Sequence, residues 1–187
     1  MDSFKDILLA AQANGEWAWR RIYKEFSPDV LRYIKSMGVK EEEDLLENVL
    51  LEMVKKIHTF NGDEKQFKSW LFTIAHSKYV DICRKKNIID YVDSYDNINQ
   101  PITECEYDEI LNILNILSKE QKEIIILRIL IGFDIKETAI ILSKKENTVK
   151  SLQKRALAKM KKKIISDSCN FFNASNGYID KESGTDV

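Results

Sequence analysis

D-I-K-E-T-A-I-I-L-S-K-K-E-N-T-V-K-S-L-Q-K-R-A-L-A-K-M-K-K-K, residues 134–163, is the stretch on which the reading of this chain turns. Asp134 with Glu137 three positions later has the form of a capping box and predicts a short helix through Leu142. Ser143 to Asn147 is a short polar turn, and Thr148 to Lys163 is a second helix dense in Lys and Arg. A short capped helix, a tight turn and a basic helix make a helix-turn-helix pattern. In that geometry the first helix crosses the phosphate backbone and the second offers its first turns to base edges. Ala139 is small where the two helices should meet. Val149 and Ala156 can face inward, and Lys150, Ser151 and Lys154 share the outward face.

The charge around this stretch is segregated. The chain has 187 residues and a net charge of -1, which by itself speaks against a polyanion partner. Yet Ser143 to Lys163 carries nine basic residues and one acidic, a balance of +8. Asn87 to Leu117 carries seven acidic residues and no Lys or Arg, a balance of -7. Such asymmetry points to a local polyanion site with an acidic stretch elsewhere.

Upstream, the pattern stays helical. Two Pro and six Gly in the whole chain leave too few turns for a sheet fold. Residues 3–13 and 16–37 read as two helices split by Asn14-Gly15, with Pro28 expected to kink the second or start a new turn. Residues 42–58 form the clearest amphipathic helix, its apolar stripe running from Leu45 and Leu46 through Val49, Leu50, Met53, Val54 and Ile57. Asn61-Gly62-Asp63 is a turn, and 65–86 is a further long helix ending in Arg84-Lys85-Lys86. Residues 104–117 and 119–131 read as helices, the latter capped by Ser118 and broken by Gly132. The expected architecture is all-α: two small helical domains, 1–88 and 104–165, joined by a flexible acidic linker at 89–103. A disordered polar tail at 166–187 completes it.

Other function classes find little support. The chain has two histidines, His58 and His76, and no metal-type Cys/His spacing. It has no phosphate-binding glycine loop and no nucleophile elbow. We therefore expect no enzyme, no catalytic residue, no metal and no cofactor. Three widely spaced cysteines, Cys83, Cys105 and Cys169, fit a reducing cytoplasm better than a disulfide framework. The first residues are not expected to be a signal peptide, and no run reaches the length of a membrane span, so no direct membrane insertion is expected.

Two sets of motifs together resemble the sigma-70 family, in particular the extracytoplasmic-function (ECF) RNA polymerase sigma factors. The C-terminal set resembles region 4: L-S-K-E-Q-K-E-I-I-I-L-R (117–128), Gly132, E-T-A-I-I-L (137–142), T-V-K-S (148–151) and K-R-A (154–156). The N-terminal set resembles region 2: E-D-L-L-E (43–47), F-N-G (60–62), F-K-S-W-L-F-T-I-A (67–75) and D-I-C-R-K-K (81–86). They follow in order and together span about residues 5–163.

The resemblance implies a factor that binds core RNA polymerase and directs it to promoters. It implies region 4 reading the -35 element through Lys144, Lys145, Asn147, Thr148, Lys150, Ser151, Lys154 and Arg155. It implies region 2 melting and capturing the -10 element through Phe60, Trp70, His76, Ser77, Lys78, Arg84, Lys85 and Lys86. Single strands need aromatic platforms and cations; Phe67, Phe72 and Tyr79 add aromatics, and Lys65 and Lys68 add charge, while Phe67 and Leu71 read as core. Asp44, Glu47, Asn48 and Glu52 would dock on the polymerase. The partners implied are core polymerase, double- and single-stranded promoter DNA and an anti-sigma factor. The chain departs from the family pattern at Glu47-Asn48 (usually Gln-Glu), Ser77 (often Asn), Ser143 (usually Gly) and Leu152-Gln153 (commonly Arg-Leu). A stand-alone helix-turn-helix regulator, or a sigma-like adaptor that does not melt DNA, remains the alternative.

Overall fold

A computed structural model describes residues 3–90 and 113–176. Four helices form the first unit: α1 (Phe4–Gln12), α2 (Glu16–Ser36), α3 (Glu42–Lys56) and α4 (Glu64–Asp90). A 3-10 turn, Ile57–Thr59, follows α3. In the second unit α5 (Lys119–Ile125) opens into a π turn (Ile126–Leu130) and is followed by α6 (Ile135–Ile141) and α7 (Glu146–Asn176). Among the described residues there is no strand.

Local chemistry sets several of these ends. Ser3 with Asp6, Ser118 with Gln121 and Asp134 with Glu137 each form a reciprocal capping box. The last two caps fall where the sequence places them. Asn14, at φ +62°, turns the chain between α1 and α2. Pro28 lies inside α2, and the helix runs through it rather than restarting.

The first core forms where α2 and α4 cross α1 and α3. Ile22, Val30, Tyr33, Ile34, Val49, Phe67 and Leu71 are buried there. Phe67 is the hub of an aromatic cluster, with ring centroids 5.0 Å from Phe26, 5.3 Å from Phe4 and Phe60, and 5.5 Å from Trp70. Such offset contacts add to the area these rings bury. The second core joins α5, α6 and α7 through Ile124, Leu127, Ile141, Val149, Leu152 and Ala156.

The expected uninterrupted helix over 119–131 is instead α-helix followed by π turn. Gly132, at φ +90°, ends it, and the Phe133 amide donates to the Leu127 carbonyl at 3.0 Å. This is a Schellman-type closure, which needs a left-handed residue after the helix. The Arg128 guanidinium donates to the Phe133 carbonyl and ties the corner to the π turn. The basic helix expected over 148–163 runs on to Asn176, and residues 164–176 contain neither Pro nor Gly to stop it. The expected tail therefore starts as helix, and its remainder from 177 lies outside the described residues, as do 91–103 of the expected linker and most of the expected helix 104–117. Of the latter, residues 113–115 are helical.

Candidate nucleic-acid and polymerase interface

The helix-turn-helix is built as its residues require. Ala139, Val149 and Ala156 are buried where α6 meets α7. Lys145, Asn147, Thr148, Lys150, Ser151, Lys154 and Arg155 lie exposed along the outward side of α7 and its approach. Ser151 Oγ donates back to the Asn147 carbonyl at 2.9 Å, and Arg155 Nε donates to the Ser151 carbonyl at 3.3 Å. Lys144 differs from the other cations. Its Nζ lies 2.6 Å from Glu120 on α5, and that ion pair holds the Glu120 carboxyl below its usual range. Gln153 is half-buried and accepts from Arg128 Nε at 3.2 Å. The Leu152-Gln153 departure thus places one residue in the core and one in an internal tie.

The turn itself carries a cost. Ser143 sits at φ +50°, a left-handed conformation that crowds a Cβ. Glycine, usual there in the family, has no such penalty.

On the first unit the expected single-strand residues divide. Phe60 and Trp70 are partly exposed, with ring centroids 5.0 Å apart. Phe67, Phe72 and Tyr79 are buried, so they cannot serve as platforms in this arrangement. Ser77, Arg84 and Lys85 are exposed, and nothing is described of the Lys86 side chain. Lys78 pairs with Glu52 at 3.3 Å. Phe60, Asn61, Gly62 and Asp63 line one wall of a cleft of about 790 Å³, with α1 residues Phe4, Leu8 and Gln12 opposite.

His76 is partly buried, and its Nδ1 lies 3.1 Å from the Tyr33 hydroxyl. Burial, then the positive charges of Lys119 and Lys144, lower its pKa to about 4. It is therefore neutral near pH 7, so it would meet a base as a hydrogen-bonding ring, not as a cation. Burial pushes the Tyr33 hydroxyl well above its usual range and raises the Glu123 carboxyl.

On α3, Asp44, Glu47 and Asn48 face solvent, and the Asn48 amide donates to the Asp44 carbonyl at 2.8 Å. Glu52 is tied down: Lys56 at 2.8 Å and Lys78 at 3.3 Å hold its carboxyl below the usual range. Val54, read from the sequence as part of the buried stripe, is 42% exposed, and Leu51 is 50% exposed. Two apolar side chains thus stand exposed among the polar residues of α3. The signal available was Leu51, which falls outside the apolar stripe. A groove of about 290 Å³ between α3 and α4 brings Asn48 together with Lys78, Arg84 and Lys85, joining expected polymerase and DNA residues.

Among the described residues no helix is long and apolar enough to cross a membrane. The sequence profile of sigma-70 region 2 matches residues 22–88, and that of sigma-70 region 4 matches residues 107–160. The chain is 30% identical over 165 residues to the ECF RNA polymerase sigma factor SigX of Bacillus subtilis, covering 79% of this chain and 84% of that protein. It is 27% identical over 175 residues to the ECF RNA polymerase sigma factor BldN of Streptomyces coelicolor, covering 87% of this chain and 66% of BldN. A solved structure of the sigma factor RpoE with the anti-sigma factor NepR, from Bartonella quintana, is similar at 25% identity with a TM-score of 0.68. The match covers 76% of this chain and 94% of that one.

Proposed function

The chain belongs to the ECF sigma factors of the sigma-70 family, transcription initiation factors that direct RNA polymerase to promoters, and from that premise we propose how its residues divide the work. The first unit, 1–88, docks on core polymerase and captures the -10 element; the second, 104–165, reads the -35 element; residues 89–103 tether them. The observation that carries this reading is the pairing of an exposed cationic recognition helix with a separate aromatic and cationic surface.

At the -35 element, Lys145, Lys150, Lys154 and Arg155 neutralise phosphates, and Asn147, Thr148 and Ser151 approach base edges. Lys144 contributes less, because it must first leave Glu120. At the -10 element, Phe60 and Trp70 offer ring faces to unstacked bases, His76 and Ser77 offer neutral hydrogen-bonding groups, and Lys78, Arg84, Lys85 and Lys86 follow the backbone. Core polymerase meets α3 through Asp44, Glu47 and Asn48 around Leu51 and Val54, with Glu52 acting chiefly as the anchor of Lys78. The factor contributes binding energy and no catalytic group, and it works in the cytoplasm. RpoE of Bartonella quintana has been solved with an anti-sigma factor, and an anti-sigma partner is the regulator expected here.

Co-elution with purified core polymerase at low salt tests this assignment. The complex should form without DNA and should weaken in Glu47→Lys, while Lys150→Ala leaves it intact. Equal loss in both variants, or no complex at all, overturns the division of labour.

A further inference from the structure

Gln12, the last residue of α1, reaches across the cleft to the bend that follows α3. Its side-chain Nε2 lies 2.9 Å from the Ile57 carbonyl and 2.9 Å from the Phe60 carbonyl, so the amide can give one hydrogen to each. The Phe60 amide closes the same turn on the Ile57 carbonyl at 3.0 Å. The bend that delivers Phe60 is thus tied by a residue 48 positions away in sequence.

The tie is selective in its chemistry. Carbonyl oxygens only accept, so the group placed between these two must supply two donors. A primary amide does so without charge. A carboxylate or a thioether of the same reach supplies none. The end of α1 that carries Gln12 is itself fixed: Asn14 takes φ +62°, and the Gly15 amide donates to the Ala10 carbonyl at 2.7 Å. On the other side of the bend the Phe60 ring lies close to Gly62, where an added Cβ would come 3.0 Å from its Cζ. Asp63 and Gln66 then form a reciprocal cap on α4: the Asp63 amide donates to Gln66 Oε1 at 2.9 Å, and the Gln66 amide donates to Asp63 Oδ1 at 2.8 Å. The Phe60 ring packs on Phe67 and Trp70 and stays partly exposed. Its neighbours hold the ring, and Gln12 holds the backbone beneath it.

We propose that Gln12 is a positioning residue for -10 capture: by fixing the Phe60 carbonyl it sets where that ring meets an unstacked base. This rests on the -10 reading of Phe60 given above. Gln12 itself makes no contact with DNA. It lowers the ordering cost of binding, because the platform is already in place when the strand arrives.

Two substitutions test it in the full chain bound to core polymerase. Gln12→Met keeps the reach and removes both donors. Gln12→Glu keeps the reach and the polarity but has no donor near pH 7, and it serves if the first variant fails to fold. Each is made alone and together with Phe60→Ala. Strand capture is read by fluorescence anisotropy with a labelled oligonucleotide carrying the non-template strand of the -10 segment from the chain's own gene. Affinity for core polymerase and for a duplex carrying the -35 element is measured alongside.

Either Gln12 variant should weaken strand capture about threefold, the order expected for lost uncharged hydrogen bonds. Core polymerase and -35 duplex affinities should not change. Phe60→Ala should weaken capture about tenfold, as the loss of a stacking platform does. In that background the Gln12 substitutions should cost nothing further, because there is no ring left to position. Parental capture in both Gln12 variants overturns the proposal. A loss that recurs undiminished beside Phe60→Ala also overturns it, since Gln12 would then act by another route. Parental capture in Phe60→Ala alone places the failure in the -10 reading of Phe60, and the role of Gln12 falls with it.

Discussion

Ser143 holds the helix-turn-helix corner in a left-handed conformation. A Cβ in that region costs about 1–2 kcal/mol, while glycine gives back part of this through a freer unfolded chain. Ser143→Gly should therefore raise stability by up to about 1 kcal/mol. Thermal melting checks it, and a lowered midpoint would show that the serine side chain supports the turn. His76 works through protons. Its folded pKa of about 4 lies below the ordinary 6.5, so between those values the folded chain binds fewer protons than the unfolded one. This contribution to stability is present above pH 6.5 and is lost as pH falls towards 4. Glu123, raised by burial, acts in the opposite sense. The difference between parent and His76→Gln isolates the histidine: the variant should lose less stability between pH 7 and 5 in urea titrations. Parallel losses would contradict the buried, neutral ring.

At the scale of elements, α7 and α3 make separable claims. Removing one cation that neutralises a phosphate should flatten the logarithmic salt dependence of duplex binding by about 0.9. Lys150→Ala, Lys154→Ala and Arg155→Ala should each do so on a duplex carrying the upstream promoter element, measured by anisotropy across salt. Lys144→Ala should change the slope less, because Glu120 already holds that cation. Equal slopes for all four would mean the ion pair does not survive on DNA. On α3, Leu51→Asp with Val54→Asp should weaken core polymerase binding at least tenfold, the order expected when two apolar anchors of an interface are replaced by charge. Both are exposed, so the melting midpoint of the free chain should hardly move. Unchanged polymerase affinity would remove this face from the interface.

The elements also show how far the sequence could be read. Helix positions, the Ser118 and Asp134 caps and the inward set of Ala139, Val149 and Ala156 were legible, because each depends on neighbours within a turn or two. Phe72 and Tyr79 were not, since nothing local separates a ring that meets a base from one that meets Phe133 or Lys119. Glu52 and Lys78 sit on different helices, and only tertiary packing reveals that they satisfy each other. The π turn after Ile125 escaped periodicity for a related reason: its closure uses Gly132 and an amide bond to a carbonyl six residues back.

For the molecule as a whole, among the described residues the two units meet through the Phe72–Phe133 ring pair, two cation–ring pairs, hydrogen bonds from Arg32 and Ser69, and Lys65 shared by two carboxylates. On α7, Lys150, Lys154 and Arg155 remain exposed in this arrangement. Run-off transcription with purified core polymerase, on a template carrying the promoter of the chain's own gene, tests the central claim directly. A discrete transcript should appear when the chain is added and be absent with core alone. Core and chain together yielding no transcript above core alone, at low salt and with no inhibitor present, would contradict it.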